Sequence, residues 1–213
     1  MNKNEQFIIT INRELGSGGR SIGEKLAKTL NVPFFDKALV KALRDKYNLT
    51  IEEIEKLKGK KVSWWNDIVR GIQPFYNAAK EQYYKEPEEI TSGEIFRTES
   101  QILKEIGEKE SCVIAGRSGF FIFRDHPNHI SILIQAPMEY RINRLMTKYN
   151  KTREESIKSI QEVDTWRENY IKRNTNTSRY DARNYDLVIN MEDLTEDKAV
   201  ELILDFIDKT NSL

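Results

Sequence analysis

The residues best suited to chemistry lie in a glycine-rich stretch near the start of the chain. Gly16, Gly18 and Gly19 remove three β-carbons at one turn, and Arg20 and Ser21 follow directly. Such a turn can point several backbone N–H groups inward, which makes a cradle for phosphate. In the phosphate-binding pattern GxxxxGK(S/T), a lysine neutralises phosphate charge and a hydroxyl ligates magnesium. We therefore predict a phosphate-binding loop formed by Gly16, Ser17, Gly18, Gly19, Arg20 and Ser21.

The match to that pattern is imperfect. When Gly19, Arg20 and Ser21 are placed on its last three positions, arginine replaces the lysine and Glu14 replaces the first glycine. A guanidinium is permanently charged and matches phosphate oxygens in a fork, although it is bulkier than an ammonium. We predict that Arg20 binds phosphate during transfer and that Ser21 ligates Mg²⁺. An ordinary glycine turn between a strand and a helix is the alternative.

The segments around this loop are expected to be a strand and a helix. Residues 7–11 form a short apolar, β-branched run, as in a strand buried on both faces. Ile22, Leu26 and Leu30 recur every fourth residue and so line one helical stripe. The anion would then lie at a helix N-terminus, where unpaired N–H groups and the helix dipole favour negative charge.

Further apolar runs predict four more strands, at residues 34–36, 111–115, 129–134 and 185–190. They alternate with helical patterns, which indicates a mostly parallel sheet with helices on both sides. Ligands of such sheets gather at the carboxyl ends of the strands. Asp36 ends one run and either faces a ligand or caps the next helix. Arg117 follows another, where it can hold a phosphate or form a salt bridge.

Charged helices are predicted in the rest of the chain. Residues 50–110 are helix-rich, and their aromatic pairs suggest an insertion over the mouth of the sheet, forming an acceptor wall, a dimer face or only packing. Residues 138–149 form a helix on which Arg141 and Arg144 are expected to be exposed. The next helix places four side chains at i+3 steps, as in a closing lid or a surface laced with ion pairs. These are Asp164, Arg167, Tyr170 and Arg173.

The polar stretch 174–184 is expected to be a mobile loop.

Composition excludes several functions. The 213 residues carry 34 basic and 34 acidic side chains, so no overall field favours nucleic acid or an anionic membrane. One cysteine, Cys112, excludes a disulfide within the chain, and two histidines leave few ligands for a transition metal. No run reaches the roughly 20 apolar residues of a membrane span, and the start lacks a signal-peptide core. A cytoplasmic location is expected.

Five motifs together resemble those of the cytidylate kinase-like family, relatives of bacterial cytidylate kinase among the nucleoside monophosphate kinases. They are INRELGSGGR at 11–20, PFFDK at 33–37, IAGR at 114–117, Asp164-x-x-Arg167-x-x-Tyr170, and NYDLVIN at 184–190. The resemblance implies one α/β domain over residues 1–213 with a three-layer P-loop kinase fold and a five-stranded parallel sheet flanked by helices. It also implies a helical insertion for the nucleoside monophosphate at 48–92 and a lid at 150–184.

The resemblance further implies a phosphotransferase that uses ATP and Mg²⁺, with CMP or a related small phosphorylated molecule as acceptor. The expected catalytic residues are Arg20, Arg167 and Arg173. Acceptor binding is expected of Asp36, Lys37, Arg117, Ser118, Asp164 and Tyr170. Authentic cytidylate kinases carry a loop lysine, and an aspartate where this chain has Ser118.

The sequence is also compatible with two other functions. A nucleotide-binding regulatory protein could keep the cradle with little or no turnover, because the loop lysine is missing. A kinase for a different small phosphorylated or hydroxylated metabolite is the third reading. The expected partners are nucleotide substrates and, as an option, a second copy of the chain, but neither nucleic acid nor a membrane.

Overall fold

The computed structural model describes residues 1–36, 40 and 93–210. Lys37 and the predicted insertion at 48–92 lie outside the described residues. In chain order the elements are β1 (Ile8–Arg13), α1 (Gly19–Thr29), β2 (Phe34–Asp36), α2 (Gly93–Gly107), β3 (Cys112–Ala115), α3 (Gly119–Ile122), β4 (His129–Gln135), α4 (Met138–Tyr149), α5 (Arg153–Thr175), a 3-10 turn (Ala182–Asn184), β5 (Leu187–Asn190) and α6 (Glu196–Thr210).

The chain divides into two compact units. Residues 1–34 and 111–213 form the first, and residues 35–110 form the second. The first unit contains β1, β3, β4 and β5 with the helices that follow them. In the second unit, α2 buries Ile102, Leu103 and Ile106, at the spacing expected of one helical face.

The strands form a five-stranded sheet in the order β2-β3-β1-β4-β5. The pairings of β1 with β3, of β1 with β4 and of β4 with β5 are parallel. Ile11 lies beside Ala115 on one side and Ile132 on the other, so the carboxyl ends of these strands meet at one edge. The predicted five-stranded parallel sheet flanked by helices is confirmed.

The core of the first unit is built on both faces of β1. Ile8, Ile9 and Ile11 are fully buried, which is why this strand reads as a continuous apolar run. Helices α1 and α6 bury their apolar stripes in the same core, through Ile22 and Ile203 among others.

A smaller apolar cluster holds α4 and α5 together. Ile142 and Leu145 from α4 meet Ile160 from α5, and Leu15 from the glycine loop packs against them. The helix pair is therefore attached to the loop by apolar contacts as well as by the charges described below.

Helix α5 begins at Arg153 with a defined N-cap. Thr152 caps it with a capping box, in which the Thr152 and Glu155 side chains each bind the other residue's backbone N–H. The helix continues to Thr175. The stretch 174–184, which was expected to be a mobile loop, begins with the end of this helix and continues in turns and a 3-10 turn, and its Arg179 is fully buried and hydrogen-bonded to Asp164. Among the residues that the structure describes, no helix combines the length and the apolar character needed to cross a bilayer.

His129, at the start of β4, predicts a pH dependence of stability. Burial lowers its pKa from 6.5 to about 4, and its Nε2 lies 2.8 Å from Thr10 Oγ1. The unfolded chain takes up this proton near pH 6.5 and the folded chain only near pH 4. The stability contributed by neutral His129 is therefore complete above pH 6.5 and is lost as the pH falls towards 4.

When the pH falls from 7 to 4.5, His129 should cost the wild type about 2 kcal/mol of its free energy of unfolding. The His129→Gln variant should not show this part of the loss. Urea denaturation at the two pH values measures it. Thr147→Ala, at an exposed position that does not titrate, is the control and should keep the wild-type loss. A His129→Gln variant that loses as much stability as the wild type would contradict the assignment.

Candidate functional site

The glycine loop joins β1 to α1 in a conformation that requires glycine. Gly16 and Gly18 have φ of 85° and 89°, and a β-carbon at Gly16 would lie 2.8 Å from the backbone oxygen of Arg141. Gly18 caps α1, which begins at Gly19. The N–H groups of the first helical turn have no partner inside the helix, so they are available to an anion.

Hydrogen bonds hold this loop closed on itself. Ser17 donates from its backbone N–H, at 3.3 Å, and from Oγ, at 3.0 Å, to the backbone oxygen of Glu14. The Glu14 side chain accepts from the backbone N–H of Ala136 at 3.1 Å and lies 3.4 Å from Arg141 Nη1. The loop is thus anchored to the segment that leads from β4 into α4.

Two cations of α4 converge on Ser21. Arg144 Nη2 and Lys148 Nζ donate to Ser21 Oγ at 3.2 and 3.1 Å, and Arg144 also pairs with Glu196 at 2.5 Å. Burial lowers the pKa of Lys148, and the neighbouring charge of Arg144 lowers it further. Cations held this close to each other beside a helix N-terminus suit a polyanion, whose binding would relieve their repulsion.

Arg20 takes part in a different set of contacts. Its Nη2 lies 2.8 Å from Glu24 one turn along α1, and its Cζ lies 5.8 Å from the centroid of the Phe34 ring. Its phosphate contact stays a prediction.

Asp164 connects α5 to the loop through a buried charge network. Its Oδ1 accepts from the backbone N–H of Leu15 at 3.1 Å and from Arg179 Nη1 at 3.2 Å, and it lies 3.9 Å from Arg167 Nη1. Its Oδ2 accepts from Arg141 Nη2. Because both oxygens are used inside the protein, this geometry makes Asp164 an anchor of the loop, and its predicted contact with the acceptor stays untested.

The segment after β3 is strained. Gly116, Arg117 and Ser118 all have left-handed φ, of 80°, 54° and 55°, which is unfavourable for the two that carry side chains. Arg117 Nη2 donates to the Tyr170 hydroxyl at 3.1 Å, and Tyr170 stacks on Trp166. Within the described residues, the buried Ser118 hydroxyl has no hydrogen-bond partner. Strain and an unsatisfied hydroxyl at a strand's carboxyl end are typical of a ligand site.

The other predicted site residues differ in their contacts and burial. Arg167 donates to the backbone oxygen of Arg13 at 3.2 Å, close to the loop. Arg173 is exposed. Asp36 is fully buried and belongs to the second unit, and Lys37 is not among the described residues.

Sequence reasoning missed several cations of the site. Arg141 was expected to be exposed but is buried, because it pairs with Asp164 and Glu14. Arg141, Arg144 and Lys148 follow a predicted strand at i, i+3 and i+7, and this spacing was the available signal for one cationic helix face. Nothing local marks Arg179 as buried.

The residues present fit an anion better than a free metal ion. Within the described parts of the chain, no cluster of three histidine, cysteine, aspartate or glutamate side chains could hold a metal. Ser21 Oγ accepts from two cations, which would repel a free divalent ion. The charges of this cradle therefore suit an anion rather than a free metal ion.

Comparison with solved structures supports the kinase-type fold. An uncharacterized protein from Eubacterium ventriosum aligns with a TM-score of 0.68 and 25% identity, over 95% of this chain and 99% of the other. Shikimate kinase from Bacteroides thetaiotaomicron aligns with a TM-score of 0.50 and 14% identity, over 95% and 98%. The second likeness is one of fold alone.

A curated protein also matches over nearly the whole chain. It is an S-adenosylmethionine-dependent nucleotide dehydratase from Lacinutrix mariniflava, 24% identical over 207 residues, which are 96% of this chain and 37% of that protein. This chain thus spans little more than a third of that relative's length.

The family comparison covers the loop, the sheet and the helix pair together. The model of the cytidylate kinase-like family matches residues 8–193, from the start of β1 to just before α6. The chain therefore belongs to the cytidylate kinase-like family.

Proposed function

We propose that this protein is a phosphotransferase that moves the γ-phosphoryl group of ATP to a nucleoside monophosphate, with CMP as the first candidate. The observation that carries the proposal is the cationic cradle: a left-handed glycine turn opens α1, and Arg144 and Lys148 converge on Ser21 beside it. Membership of the cytidylate kinase-like family supports the same class of reaction.

The chemistry asks for positioning and charge rather than a covalent intermediate. An oxygen of the acceptor bonds to the γ-phosphorus while the bond from that phosphorus to the β,γ-bridging oxygen breaks, and ADP leaves. Backbone N–H groups at the start of α1 and the α4 cations stabilise the charge on the transferring group. The phosphates of bound ATP would take over the contacts of Arg144 and Lys148, which would leave the Ser21 hydroxyl to ligate the Mg²⁺ that arrives with the nucleotide.

The acceptor would lie at the end of β3. Arg117 is held by Tyr170 there, and the Ser118 hydroxyl is available for hydrogen bonding. Asp36 and Lys37 are proposed to bind the acceptor on the resemblance alone, while Arg20, Arg167 and Arg173 are proposed to act on the transferring group. The nucleotide in the name of the curated relative supports a nucleotide acceptor.

An acceptor panel tests the proposal. Purified protein is incubated with Mg-ATP and CMP, UMP, AMP, GMP or shikimate, and ADP formation is measured against a reaction without acceptor. We expect ADP to depend on one nucleoside monophosphate. Mg-ATP binding without turnover would support the regulatory alternative, and turnover with shikimate alone would support a metabolite kinase.

Ser21→Ala adds a variant to the same assay. Loss of the hydroxyl is expected to lower kcat by about 10–100-fold, because the metal and the two cations lose a shared partner. Thr29→Ala is the control in the last turn of the same helix, where its Oγ1 donates to the backbone oxygen of Lys25. Equal kcat values for the two variants would exclude the role given to Ser21.

A further inference from the structure

We propose that Arg13 supplies the phosphate-binding cation of the loop, in place of the missing lysine. The inference rests on the proposed function and adds a residue to it. Arg13 is the last residue of β1, and Gly19 is the first residue of α1.

The side chain of Arg13 occupies the space that a side chain at position 19 would need. A β-carbon built on Gly19 would lie 2.5 Å from Arg13 Cβ and 3.1 Å from its Cγ. Real β-carbons do not approach so closely, so positions 13 and 19 face each other and only one of them can carry a side chain.

These two positions are related by the phosphate-loop pattern itself. In GxxxxGK the first glycine precedes the second by five residues, and the lysine follows the second directly. With Gly18 as the second glycine, the register shifts by one residue from the alignment that ends at Ser21: the first glycine falls on Arg13, the lysine on Gly19 and the hydroxyl position on Arg20. Compared with the pattern, this chain carries a cation at the position of the first glycine and a glycine at the position of the lysine. These are the two positions that face each other. In this alignment the cation enters from the strand, whereas the usual lysine enters from the helix.

The far end of the Arg13 side chain lies where charge is needed. A β-carbon at Gly116 would overlap the Arg13 guanidinium, so the side chain extends from the start of α1 to the strained end of β3. The donor phosphates are proposed at the first place and the acceptor at the second. A guanidinium between them can contact phosphate oxygens as a fork.

Two other arginines hold the backbone of Arg13 in place. Its carbonyl oxygen accepts from Arg167 Nη1 at 3.2 Å and from Arg179 Nη2. Arg179 is itself held by Asp164, so the network behind the loop also positions the residue that carries the cation.

The exchange can be reversed by mutation in the full chain. Mg-ATP affinity is measured by calorimetry for the wild type, Arg13→Gly, Gly19→Lys and the double variant. Arg13→Gly should weaken binding by about 10–100-fold, because a charge-assisted contact is lost. Gly19→Lys should also bind poorly and unfold at lower temperature, because its β-carbon clashes. The double variant, which restores GxxxxGK, should recover affinity to within about threefold of the wild type.

Further variants guard against a failure to fold. Arg13→Lys should keep most of the affinity and Arg13→Gln should lose it, and the Tm of each variant shows whether it is folded at the temperature of the assay. Arg124→Gln, an exposed arginine, is the control and should bind as the wild type does. Wild-type affinity in Arg13→Gly or Arg13→Gln, or a folded double variant no better than Arg13→Gly, would overturn the inference. Absence of Mg-ATP binding by the wild type would instead reject the proposed function.

Discussion

Asp164→Asn is expected to lower the free energy of unfolding by about 3–5 kcal/mol, the range found when one partner of a buried charge pair is removed. Asparagine keeps the size of the side chain and can still accept from the Leu15 N–H. It cannot balance the charge of Arg141 and Arg179, whose side chains are 8% and 0% exposed. The two buried guanidinium groups then lose the carboxylate that they share. Arg141 still has Glu14 as a charged partner, but Glu14 forms no pair with Arg179.

Urea denaturation at pH 7 measures this effect. Glu162→Gln is the matched control, because Glu162 lies on the same helix and forms an exposed pair with Lys158 at 3.8 Å. It should change stability by less than about 0.5 kcal/mol. Asp164→Asn with a loss as small as that of the control would mean that the network contributes no stability.

Gly16→Ala is expected to lower the free energy of unfolding by about 3 kcal/mol and to abolish nucleotide binding. Two causes add: a side chain at φ +85° is strained, and the new β-carbon meets the Arg141 backbone at 2.8–3.0 Å. That backbone belongs to α4 and cannot shift without moving the helix. The loop must therefore open, which displaces the N–H groups of the cradle.

Gly18→Ala separates the two causes. Gly18 has nearly the same φ, +89°, but the nearest atoms to its new β-carbon lie at 3.6 Å. Only the backbone strain should appear, about 1.5 kcal/mol. Denaturation and Mg-ATP titration of both variants give the comparison. If the two variants were equally destabilised, the close approach of α4 to the loop would be without effect.

The sequence predicted the parts of this protein that depend on neighbours along the chain. The buried run of β1 and the glycine turn at 16, 18 and 19 are local patterns, and each appears where it was expected. The parallel sheet followed from the alternation of strands and helices. The motifs likewise indicated the family that the comparison shows.

The tertiary structure decided which charges serve which purpose. Arg13 faces the start of α1, and Asp164, for which the pattern left open a closing lid or a surface laced with ion pairs, is buried and accepts a hydrogen bond from the loop. Arg179 lies 166 residues from Arg13, yet it binds the Arg13 carbonyl oxygen. Spacing along a helix or strand determines which side chains share a face. It does not determine which distant residue packs against that face, and in this protein that packing sets the partner, the burial and therefore the role of each arginine.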